Sequence, residues 1–196
     1  MQLVTEWLRP LVLGLAAVGF CAVAAMAQSM SLAERIQFCS ACHGEDGNSR
    51  MENSPSLAGQ PAFFILYQLF LMREGVRRIE AMAAIVKDLK DDDLDALSKH
   101  FAKLEPKRSD EPVDPGLAKR GAVIAEARRC RSCHAPGLAG QDQIPRLAKQ
   151  RIDYLISSMK SYRDSTRSGA DTAMSAPVAG MSDADIAALA HYAASL

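Results

Sequence analysis

Apolar residues recur at helical spacing in six stretches of the chain: 32–38, 64–69, 91–104, 117–129, 154–159 and 183–196. Positions i, i+3, i+4 and i+7 on one face mark an amphipathic helix, whereas a half-buried strand needs sustained period-2 alternation. No segment sustains that alternation in strand-forming residues, so the pattern predicts an all-α protein. The six stretches form two sets of three in the same order.

Two segments fall outside this pattern. Leu11 to Ala25 is an apolar run behind a short polar start carrying Arg9, and it closes on Ala25-Met26-Ala27. That small-x-small ending reads as an export signal over residues 1–27, cleaved to leave Gln28 first. A retained membrane anchor is the alternative, but the run is at or below the ~17 residues a spanning helix needs. Between the two sets of helices lies Glu105 to Gly116, with three prolines and six charges. Such a stretch cannot be a core helix and reads as a linker. The expected organisation is a signal at 1–27, a domain at 28–106, a linker at 107–116 and a second domain at 117–196.

Export changes the cysteine count. The chain has five cysteines, and Cys21 leaves with the signal. The remaining four form Cys39-Ser-Ala-Cys42-His43 and Cys130-Arg-Ser-Cys133-His134. Both are C-x-x-C-H, the attachment motif for c-type haem. On one helical turn, two thiols three residues apart can each form a thioether to a haem vinyl group. The next residue then presents its imidazole to the iron as proximal ligand. A four-cysteine zinc site would not require the histidines. A thioredoxin-like pair would need strand-helix-strand surroundings, and a disulfide within each pair would leave both histidines unexplained.

The repeat extends past the motif. Pro55-Ser-Leu-Ala-Gly-Gln60 matches Pro145-Arg-Leu-Ala-Lys-Gln150, and Met82 and Met174 precede equivalent closing helices that open at Asp91 and Asp183. The offsets are 91 for cysteine, 90 for proline and 92 for methionine, which marks an internal duplication. Domains of about 80 residues have marginal cores. A covalently held porphyrin would supply the bulk missing from a chain with only 6% aromatic residues.

A thioether as second axial ligand raises a haem's potential and leaves no place for substrate. Met82 and Met174 are the candidates that respect the repeat, each expected in a loop-like stretch. Met51 and Met181 are rivals that do not respect it, while Met72 and Met159 sit at helical spacing and read as core. His100 and His191 occupy non-equivalent places in the closing helices and read as packing or surface. The carbonyls of Pro55 and Pro145 are candidate acceptors for the second ring nitrogen of His43 and His134. Gly121 is a candidate site of close helix approach.

With these motifs the chain resembles the dihaem cytochrome c4 family, a tandem duplication of the class I cytochrome c domain. The resemblance spans residues 28–196. It implies two all-helical domains related by pseudo-twofold symmetry, with haem propionates facing each other. It also implies ligation by His43 with Met82 and by His134 with Met174. The function implied is a periplasmic electron carrier, not an enzyme, between a quinol-oxidising cytochrome complex and a terminal oxidase. An electron-transfer subunit of a partner dehydrogenase has the same architecture, and a dihaem enzyme is the third reading. Two departures from the family are Lys149, in place of the second glycine of Ala-Gly-Gln, and His100, where an aromatic is usual.

Charge narrows the partners. The chain has 23 basic and 23 acidic residues, a balance that excludes general nucleic-acid binding. Residues 28–110 carry 11 basic against 13 acidic groups and residues 111–196 carry 11 against 9, a split of −2 and +2 suited to orienting redox protein partners. Arg128, Arg129 and Arg131 flank the second motif as a candidate docking patch or as counter-ions for propionates.

Overall fold

The computed structural model describes residues 30–167, 169 and 172–196. The expected export signal at 1–27 lies outside them. Among the described residues the secondary structure is helical, with one isolated bridge, Gln141 to Ile144, and no strand. The first half holds α1 (Leu32–His43), α2 (Ala62–Arg73), α3 (Glu80–Val86) and α4 (Asp91–Ala102). The second holds α5 (Pro115–Ala127), α6 (Arg131–His134), α7 (Ile152–Arg163), α8 (Ser175–Val178) and α9 (Asp183–Ser195). None of these helices is long and apolar enough to cross a membrane.

Local chemistry sets the helix starts. Ser31 and Glu34 form a reciprocal capping box on α1. Asp114 caps α5 and Pro115 takes the first helical position, where its missing N–H costs nothing. The expected linker therefore gives up its last two residues to α5. Ser182 caps α9. Arg151 gives α7 no side-chain cap. Instead the Glu111 carboxylate accepts from the backbone N–H of Ile152 at 2.7 Å and Asp153 at 2.9 Å.

The rest of the linker is likewise tied down on both halves. Lys107 donates its N–H to Asn48 and pairs with Asp46 in the first half. Arg108 donates to the Ser195 carbonyl, and Asp110 pairs with Arg151, in the second.

The buried clusters do not cross between halves. Ile65, Val86, Leu89, Leu94, Leu97 and Phe101 form the first core. Leu138, Ile152, Leu155 and the alanines of α9 form a second, and Ala125, Val178, Met181, Ile186 and Leu189 a third beside it. One core in the first half, two adjoining ones in the second and a repeated helix order make two tandem domains.

In the second domain α5 lies directly on α9. A Cβ on Gly121 would fall 2.0 Å from the Ala188 carbonyl oxygen, so only glycine permits this approach.

The junction between the domains is reciprocal. The Gln60 amide donates to the Arg146 carbonyl and accepts from the Arg146 N–H, both at 2.9 Å. The Gln150 amide does the same to Ser56, at 2.9 and 2.8 Å. Gln60 matches Gln150 and Ser56 matches Arg146 in the repeat, so these four bonds express a pseudo-twofold axis. All four residues are buried.

Candidate haem sites

The two C-x-x-C-H motifs sit in different local frames. The first lies inside α1, which runs unbroken through Cys39 and Cys42 to His43. The second was expected to continue from a helix over 117–129, but α5 stops at Ala127. Arg129 turns left-handed at φ 55°, with Cys130 N–H donating to the Ala125 carbonyl and Arg129 N–H to that of Glu126. This is a Schellman closure, and it places Cys130, Cys133 and His134 on a separate turn that includes α6. Cys39, Cys42, Cys130 and Cys133 form no disulfide with one another. Among the described residues no group of three or more His, Cys, Asp or Glu converges as a metal site.

One cavity of about 750 Å³ runs through both domains and is lined by Cys39, Cys42 and His43 from one and Cys130, Cys133 and His134 from the other. The lining is mainly apolar, as a porphyrin face requires. His43 Nδ1 lies 2.8 Å from the Pro55 carbonyl and His134 Nδ1 lies 2.8 Å from that of Pro145. A carbonyl only accepts, so Nδ1 carries the proton in each ring and Nε2 of the neutral imidazole keeps its lone pair. Burial, partly offset by the Pro55 hydrogen bond, holds the His43 pKa below its ordinary value. The donor set and the cavity therefore fit two haems.

Met82 and Met174 both line this cavity. Met174 stands in a turn just before α8. Met82, expected in a loop-like stretch, lies inside α3, where the alanine-rich Glu80–Val86 sequence favours helix. Met51, Met72, Met159 and Met181 line the cavity too. Met181 is buried against Ile186 and Leu189, and Met51 is exposed. His100 and His191 are absent from the lining. His100 packs edge-on to Phe101, and His191 accepts from the Asp114 N–H at 3.0 Å.

Several cavity residues carried no assigned role in the sequence. Arg77 and Arg167, 90 positions apart, both bring a guanidinium to the Tyr154 phenol. Burial would raise the Tyr154 phenol, but the two guanidiniums outweigh it and hold the pKa below the ordinary value. Arg77 also donates to Gln68 at 2.6 Å and Arg167 to Ser158 at 3.0 Å, again equivalent positions. Their common offset was the available signal. Convergence on one tyrosine from two domains was not readable from it.

Comparison with known proteins agrees with this geometry. A family described as "Cytochrome c" matches residues 118–196, and one described as "Cytochrome C oxidase, cbb3-type, subunit III" matches residues 24–100. Cytochrome c4 of Pseudomonas aeruginosa is 34% identical over 165 residues, covering 79% of this chain and 81% of that protein. The thiosulfate dehydrogenase electron acceptor of Thiomonas intermedia is 30% identical over 194 residues, covering 93% and 89%. The crystal structure of reduced cytochrome c4 from Pseudomonas stutzeri superposes with a TM-score of 0.76 at 29% identity, covering 86% of this chain and all of that one. With two covalently attached haems c and two tandem cytochrome c domains, the chain is a c-type cytochrome electron carrier and belongs to the cytochrome c4 family.

Proposed function

We propose that the protein is exported by cleavage after residue 27 and carries electrons in the periplasm, one per haem, between a quinol-oxidising cytochrome complex and a terminal oxidase. Residues 28–106 and 117–196 are the two haem domains, joined by 107–116. The observation that carries this reading is the single cavity lined by both motifs and by a repeat-matched methionine in each half. Cys39, Cys42, Cys130 and Cys133 hold the haems by thioether bonds, and His43 and His134 bind the irons through Nε2. Met82 and Met174 close the sixth positions, which leaves no site for substrate and makes the protein a carrier rather than an enzyme. Each haem supplies a one-electron couple in an apolar, water-poor setting. The chain's own part is to orient both imidazoles through the Pro55 and Pro145 carbonyls and to keep water from the cavity.

A redox titration followed by optical spectroscopy tests this. Two low-spin haems, each with the ferric charge-transfer band of thioether ligation, are expected. Met82→Ala and Met174→Ala should each abolish that band on one haem only and lower that haem's potential. A high-spin haem in the unaltered protein that binds carbon monoxide readily would overturn the carrier reading.

A second reading of the partner rests on the similarity to a thiosulfate dehydrogenase electron acceptor. In that case electrons arrive from a periplasmic dehydrogenase instead of the quinol-oxidising complex. Co-purification of a catalytic partner distinguishes the two.

A further inference from the structure

Arg146 is the residue of the second half that stands where Ser56 stands in the first. Its side chain is only 4% exposed. Nη2 donates to the Ala58 carbonyl of the other domain at 2.7 Å, and Nη1 donates to the Ala148 carbonyl. The third donor, Nε, is buried and has no hydrogen-bond acceptor. No carboxylate of the described residues pairs with this guanidinium, although Arg146 lines the cavity that both motifs share. Burial pushes its pKa down to about 10, so it stays charged at neutral pH.

A buried cation with an idle donor and no anion is an arrangement that folded chains avoid. The missing anion must come from what fills the cavity. Haem c brings propionate carboxylates, and a guanidinium is the side chain best shaped to hold a carboxylate. Arg77 and Arg167 direct their donors at Gln68, Ser158 and Tyr154. Arg35 also lines the cavity with a buried Nε outside any hydrogen bond, but the Asp93 carboxylate stands 3.1 Å from it, whereas no such carboxylate stands beside Arg146.

We propose that Arg146 is the buried counter-ion of a haem propionate at the domain junction, and that its charge raises the potential of that haem. Because the same guanidinium bonds Ala58 of the opposite domain, the propionate is also tied to the docked arrangement of the two halves. The inference rests on the reading that both motifs carry haem.

The test uses the full-length protein with both haems attached. Arg146→Gln removes a positive charge beside the iron, and ferric haem is the more positive state, so its reduction becomes less favourable. The equilibrium constant for reducing one haem should fall at least tenfold, about 59 mV for one electron. Arg146→Lys keeps the charge and should restore most of that fall. Unchanged potentials of both haems in Arg146→Gln would overturn the proposal. If Arg146→Gln acquires fewer than two haems, Arg146→Lys decides the matter by resonance Raman spectroscopy. It lacks the Nε–H, so a propionate bending band should shift; an unmoved band overturns the proposal. Fewer than two haems c in the unaltered protein, by its alkaline pyridine spectrum, would sink the haem reading itself.

Discussion

The two domains bury the same helices with different materials. The first domain fills its core with bulk, from Ile65, Leu94, Leu97 and Phe101. The second brings α5 onto α9 until backbone meets backbone at Gly121 and Ala188, and its core includes Ala125, Ala190, Ala193 and Ala194. The cause is visible in helix length. α5 starts fifteen residues before Cys130 (115 to 130), whereas the capping box at Ser31 starts α1 seven residues before Cys39 (32 to 39). The second domain thus has more helix to bury ahead of its motif, and small residues let α5 bury it by close approach. One duplicated frame therefore supports two packing solutions around the same cofactor.

The largest effects should fall on those cores. Gly121→Val has nowhere to place its side chain and should destabilise the second domain by about 3 kcal/mol or more. Leu97→Ala should destabilise the first domain by about 2–5 kcal/mol through the cavity it leaves. Denaturant unfolding followed in the haem absorption of each domain should show opposite domains failing first. Coincident loss of both domains in either variant would mean that the cores are not independent.

The junction should respond symmetrically. Gln60→Ala and Gln150→Ala each remove two hydrogen bonds across the junction and leave buried backbone groups unpaired, which costs about 2 kcal/mol of domain docking in either case; Gln150→Ala also loses the bond from the Arg151 N–H, which lies within the second domain. Differential scanning calorimetry should show the two variants uncoupling the domains to the same extent. A clear inequality would break the twofold description.

Asp153 supplies a smaller contrast, because its repeat counterpart is the exposed Phe63. Burial raises the Asp153 carboxyl, but the Arg151 guanidinium and the backbone N–H groups of Asn53 and Tyr154 outweigh it, so the pKa lies below the ordinary value. A carboxyl depressed on folding contributes stability above its unfolded pKa of about 3.9 and loses it as the pH falls through the folded value. Asp153→Asn should cost about 1 kcal/mol at neutral pH and flatten the acid limb of the stability curve.

The smallest effect should be a gain. Lys149 sits at φ 60° where the first domain has Gly59 at 64°. Lys149→Gly should stabilise the second domain by about 1 kcal/mol by relieving that left-handed strain, less whatever the Lys149 contact with the Pro106 carbonyl contributes. An unchanged midpoint would mean that the contact offsets the strain.

Much of this was legible in the sequence because it is local or repeated. The six helices, the duplication, the four cysteines with their histidines and the close approach at Gly121 follow from spacing alone. What stayed hidden depends on distance or on an unusual backbone. The left-handed Arg129 that separates α5 from the second motif carries no glycine to announce it. Glu111 caps a helix about 40 residues downstream, so the linker looked like a tether rather than part of both domains. Tyr154 and Arg146 gain their meaning only from partners in the other half.

The paired glutamines have a consequence for how such a protein diverges. Gln60 and Gln150 grip peptide groups, not side chains, so the join is blind to which residues occupy positions 56 and 146. A gene carrying two copies of one domain can keep its halves assembled while those two positions drift apart. Here one became a serine and the other a buried arginine. The peptide grip supplies a fixed hinge-pin, and the freed positions supply room for two initially identical redox centres to become unequal.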